Sequence, residues 1–167
     1  MQQDFTAFRP SRLWKAMTPE HRVAAAELFW DDEQSTDQQL EAVAAIASHM
    51  KFRTKSVLGL TPDKRARYLA TLPNVTDTIA ARALVNYHLG RQRLMMAAFL
   101  DSVGVAHEEG LITEEQVAKP DTDKLQAAAA EVASTFPAAD VALYLSTLVS
   151  QDPDTWGELA GMPETTG

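Results

Sequence analysis

The residues with chemistry to offer are histidines, a dense set of arginines and lysines, and one awkwardly placed aspartate. His107-Glu108-Glu109-Gly110 sets an imidazole beside two carboxylates. Such a group can hold a metal or move a proton. One histidine with two neighbouring acids is a weak metal signature, however. A charged loop between helices spells the same letters, and the cluster is read as that loop. His88, Arg91 and Arg93 offer donors to a phosphate or carboxylate. The chain also carries excess acids that need cations, and pairing with them is the plainer reading.

The densest cations are Lys51, Arg53 and Lys55, then Lys64, Arg65 and Arg67, with Phe52 and Tyr68 interleaved. Cations with aromatics outline a surface for single-stranded nucleic acid. Two aromatics are few, and no recognition-helix pattern accompanies them, which favours a solvated basic face. Asp101 is the odd acid. On an ideal helical wheel it falls on the apolar face of Ile79, Ala83 and Leu94. It also sits in a last turn, where the helix dipole disfavours an anion. It therefore needs a buried salt bridge to an arginine, or a bend at Gly90 that turns it to solvent. The candidate ligand-binding set is Arg53, Lys55, Arg67, His88, Arg91, Arg93, Asp101 and His107.

Other chemistries have no motif. There is no G-x-G-x-x-G, no Walker loop and no H-E-x-x-H. No G-x-S-x-G elbow is present. No glutamate lies three residues before any of the 4 histidines, as paired-carboxylate metal bundles require. The chain has 0 cysteines, which removes disulfides, thiolate metal sites and cysteine nucleophiles together. No metal, cofactor or catalytic residue is expected.

Helices must position these groups. Thr18-Pro19 and Thr61-Pro62 each place a capping threonine before a proline at the first helical position. The two starts are alike over five residues, Thr-Pro-Glu-His-Arg and Thr-Pro-Asp-Lys-Arg, and no third copy follows. They read as convergence on a good helix start, not as a repeat array. Thr36 to Gln39 and Thr113 to Gln116 fit capping boxes. Leu40, Val43, Ala47 and Met50 recur at helical spacing, as do Leu125, Ala129, Val132 and Phe136, then Val141, Leu145 and Leu148. The span from Asp77 to Val103 is apolar on two faces, so it is expected as one long helix packed between layers. Gly104 suits a left-handed C-cap. Period-two alternation and Asn-Gly or Asp-Gly hairpins are missing. The fold class expected is all-α: a bundle of seven to nine helices around a long central helix at 77–103.

At 167 residues the expectation is one domain spanning 1–167, with loose tails at about 1–4 and 162–167. The longest apolar run, Leu94 to Leu100, is far short of the ~20 residues that cross a bilayer. With no secretory signal in its first residues, the protein is expected in the cytoplasm, away from membranes. The net charge of −8 is uneven: residues 51–93 carry 9 Lys/Arg against 2 Asp/Glu, and residues 94–167 carry 2 against 13. Mutual neutralisation within the chain is the favoured reading of that asymmetry.

These features point to a non-enzymatic helical domain that binds another protein or a second copy of itself. Phe29, Trp30 and Trp156 are candidate anchors. The alternative is a module for an anionic ligand, either nucleic acid or a phosphorylated metabolite, on the basic segment 51–93. Overall acidity makes nucleic acid the weaker of the possible partners. A third reading is a small helical enzyme with acid–base groups near His88, Asp101 and His107.

Overall fold

The structure is a computed structural model that describes residues 4–166. It is all-α: eleven α-helices, two short 3-10 turns and a single two-stranded hairpin among the described residues. Without the short helices Thr54–Leu58, Pro153–Trp156 and Pro163–Thr166, the count falls within the expected seven to nine. Such short helices are too brief to show a 3.6-residue period. By contact the described residues divide into two compact units, one of residues 10–90 and one of residues 4–9 with 91–166. The predicted helix at 77–103 is interrupted at Gln92, which leaves the helical region with φ −125° and ψ 22°.

The unit of residues 10–90 holds α1 (Pro10–Ala16), α2 (Pro19–Asp31), α3 (Thr36–Met50), α4 (Thr54–Leu58), α5 (Pro62–Thr71) and α6 (Asp77–Arg91), whose last residue lies past the division. Its core includes Ala25, Ala26, Phe29, Ile46, Val57, Leu69, Ile79 and Leu84. The hydroxyls of Thr18 and Thr61 cap α2 and α5 as expected, accepting from the N–H groups of His21 at 3.2 Å and Lys64 at 3.4 Å.

The likeness between those two starts reaches further than a cap. Arg22, in the opening turn of α2, donates to the Ala70 carbonyl near the end of α5. Arg65, in the opening turn of α5, lies 5.1 Å over the Trp30 ring near the end of α2. The two helices are therefore antiparallel, and the equivalent arginine of each brings positive charge to the carbonyl-rich end of the other. Gly90 serves a close crossing, since a Cβ there would lie 2.8 Å from the Leu28 side chain.

The Thr36–Gln39 pattern does not act as a capping box. Ser35 is the N-cap residue and makes no side-chain cap bond. Gln39 instead donates across the α2–α3 link to the carbonyls of Phe29 at 2.9 Å and Asp32 at 2.8 Å, closing the orphaned end of α2.

The other unit holds α7 (Arg93–Val103), the hairpin β1 (His107–Glu108) and β2 (Leu111–Ile112), α8 (Thr122–Thr135), α9 (Ala138–Gln151), α10 (Pro153–Trp156) and α11 (Pro163–Thr166). Its innermost helix is α9, where every residue from Tyr144 to Val149 is buried. Phe99 of α7 meets Tyr144 and Trp156 ring to ring at 5.8 and 5.9 Å.

Several expectations fail here for local reasons. Leu94, placed on the apolar face with Ile79 and Ala83, is 81 % exposed, because the break at Gln92 resets the helical phase. Thr113 to Gln116 opens no helix. The segment from His107 is a hairpin turning on Glu109-Gly110, whose φ values of 51° and 92° are those of a tight primed turn. Asparagine, aspartate or glycine normally leads such a turn, and glutamate hides the signal. Met162 to Thr166, expected as a tail, folds onto α9, with Met162 and Thr165 buried. The tail positions 1–3 and Gly167 lie outside the described residues.

Candidate functional site

The strongest candidate surface grows from the end of α3. Lys51 follows the helix in the left-handed region, φ 57° and ψ 36°. The Phe52 N–H then returns to the Ala47 carbonyl at 2.9 Å, closing a Schellman-type stop. Glycine is the usual residue at such a position, since an L side chain there costs about 1 kcal/mol. The stop throws Phe52 outward, 39 % exposed, where its ring meets Tyr68 of α5 edge-on at 5.9 Å.

That ring contact brings the cations beside Phe52 next to those of α5. Lys51, Arg53, Lys55, Lys64 and Arg67 are all exposed. None of the five forms an ion pair with a carboxylate among the described residues. Arg65 is spent on Trp30. Leu58, at the end of α4, adds an apolar side chain 53 % exposed. The expected neutralisation of the basic block by acids does not reach these residues. It reaches Arg82, paired with Asp32 at 3.0 Å, and Arg93, paired weakly with Glu109 at 3.5 Å on open surface.

The remaining candidates separate. Arg91 is exposed. His88 is 3 % exposed, and burial drives its pKa down to about 4 against an opposing hydrogen bond with the Leu84 backbone. A neutral buried ring of this kind does not greet a solvent-borne anion. Asp101 and His107 do meet, the Asp101 carboxylate lying 2.6 Å from Nε2 of His107. The imidazole Nδ1 accepts the Gly110 N–H at 3.1 Å, so the proton sits on Nε2 and is donated to Asp101. Both ring nitrogens are occupied in fastening the hairpin to the end of α7, and neither is free to abstract a proton. The solvent side of the Asp101 alternative holds: its side chain is 74 % exposed.

Among the described residues no group of three or more His, Asp or Glu is placed to hold a metal ion. No helix among them is long and apolar enough to cross a membrane. No protein-family model, no curated protein and no solved structure matches this chain.

Every cation of the basic surface is legible in the sequence, and what organises them is not. The left-handed lysine carries no glycine to announce it. The Phe52–Tyr68 contact spans two helices and a loop, which no local period records.

Proposed function

We propose that this is a non-enzymatic protein-binding domain of the cytoplasm, whose docking surface is the basic face from Lys51 to Arg67. Its partner is a protein segment that carries acidic residues and apolar anchors. One observation carries the reading: five exposed cations, without ion pairs among the described residues, share the stretch from Lys51 to Arg67 with two exposed apolar side chains, Phe52 and Leu58. Unpaired cations supply steering and register, and apolar side chains among them supply the desolvated centre that fixes most binding energy. The placement of Lys51 supports the same view. A glycine would relieve the backbone, so a lysine there holds its charge against local strain.

The test is a titration with a fluorescein-labelled peptide rich in glutamate and leucine, beside a labelled single-stranded oligothymidylate. Arg53→Glu, Lys55→Glu and Arg67→Glu, made together, should weaken the peptide by at least about tenfold. All three are exposed, so circular dichroism and Tm should hold. Undiminished peptide binding by that variant, or none by the parent, overturns the proposal. Tighter binding of the oligothymidylate would replace the protein partner with nucleic acid. Lys51→Gly adds a second reading. It should raise stability by about 1 kcal/mol in urea unfolding while weakening the peptide. A variant that is no more stable, or binds as before, contradicts the role given to that lysine.

A further inference from the structure

We infer that the unit of residues 10–90 carries a second site, a cleft that takes a small organic anion with an apolar body. The cleft has a volume of about 700 Å³ and lies among α1, the opening turns of α2, the end of α5 and the link that follows it. Dedicated ligand sites run from ~300 to ~1,000 Å³. Three cations line it, Arg12, Lys15 and Arg22, and no carboxylate does. Trp14, Leu72 and Val75 are among the apolar side chains of its wall.

The cations are unequal in a way that suits recognition. Arg22 is held by the backbone: Nε donates to Ala70 at 3.2 Å, and Nη1 donates to Met17 at 2.6 Å and Lys15 at 3.2 Å. Those bonds use carbonyls, so the positive charge is placed without being neutralised. A guanidinium already fixed loses little further freedom on meeting an anion. Lys15 has only a long contact to Asn74 Oδ1, 3.5 Å. Arg12 is exposed and has no ion pair among the described residues. The indole Nε1 of Trp14, in the same wall, is buried without a hydrogen-bond partner. The ligand class that answers these groups is a carboxylate or phosphate monoester on an aromatic or aliphatic body. Its anionic end would meet the three cations, and its body would lie against Trp14 and Leu72.

The cleft shares no lining residue with the basic face, and the experiment keeps the two apart. The probe is anilinonaphthalene sulfonate followed by fluorescence, with phenylacetate, phenyl phosphate and inorganic phosphate as competitors. The parent protein should bind the probe, and both phenyl compounds should displace it. Arg12→Glu with Lys15→Glu should weaken the probe by about tenfold or more. Thr71→Phe, at an exposed lining position, should weaken it with no change of charge. The variant altered at Arg53, Lys55 and Arg67 should bind the probe as the parent does. No binding by the parent, parent-like binding by both cleft variants, or loss in the basic-face variant would each overturn the site. Displacement by inorganic phosphate as strong as by phenyl phosphate would remove the apolar half of the assignment.

Discussion

Asp32→Ala should destabilise the protein by about 3 kcal/mol, because it strips a half-buried polar cluster of its only anion. The Asp32 carboxylate accepts from the Ser35 hydroxyl at 2.5 Å, the Gln34 N–H at 3.0 Å, Asn86 Nδ2 at 2.8 Å and Arg82 Nη2 at 3.0 Å. Arg82 Nε closes the ring on the Ser35 hydroxyl at 2.7 Å. Ser35 is fully buried. Alanine leaves that hydroxyl, the amide of Asn86 and the guanidinium of Arg82 short of an acceptor in a half-dry place. At ~2–4 °C per kcal/mol for a chain of this size, Tm should fall by about 6–12 °C. Asp32→Asn, which keeps an acceptor and loses the charge, should fall between. A drop below about 1 kcal/mol for alanine would mean that the cluster contributes nothing beyond its geometry. The same bonds, the Ser35 hydroxyl foremost, hold the Asp32 carboxyl well below the usual carboxylate range against the opposing cost of burial. Its folded pKa is depressed, so its stabilisation is present above the unfolded pKa near 4 and fades as pH falls below that.

His88 sets a second acid dependence, at higher pH. Folded, the imidazole titrates at about 4, and in the unfolded chain at 6.5. Between those values the unfolded state binds a proton that the folded state refuses, so stability falls as pH falls through that window and levels off below it. The slope from this one group is about 1.4 kcal/mol per pH unit at its steepest, and the whole loss is on the order of 3 kcal/mol. His88→Leu removes the titrating ring from a site 3 % exposed. Urea unfolding of parent and variant from pH 7.5 to 4 should give stability curves that run parallel near neutrality and separate on acidification, the parent losing about 3 kcal/mol relative to the variant by pH 4. Curves parallel over the whole range would show that the folded ring takes up its proton over the same pH range as the unfolded one.

The fold was legible in the sequence where the signal is local. Thr18-Pro19, Thr61-Pro62 and Gly104 are caps in the structure as in the reading, because a cap is written in three or four adjacent residues. The break at Gln92 was not legible. A long apolar pattern on two faces looks the same whether one helix is covered on both sides or two helices are each covered on one. Leu94 shows the cost of choosing the first. The Glu109-Gly110 turn escaped because its first residue is one that seldom adopts positive φ. The acids and cations could be counted, but not paired. Asp32 stands in no motif and yet has four donors, whereas Lys51 to Arg67 belong to a block expected to be neutralised and five of its cations have no ion pair among the described residues. Pairing depends on which helices meet, and that information is tertiary.

The most direct check on the basic face is the affinity of the glutamate–leucine peptide measured across a range of salt concentrations. Five exposed cations without partners predict a steep, linear fall of log K with log salt, and the variant altered at Arg53, Lys55 and Arg67 should show a clearly shallower line. An affinity indifferent to salt, with the same slope in both proteins, would contradict the claim that these side chains form the docking surface.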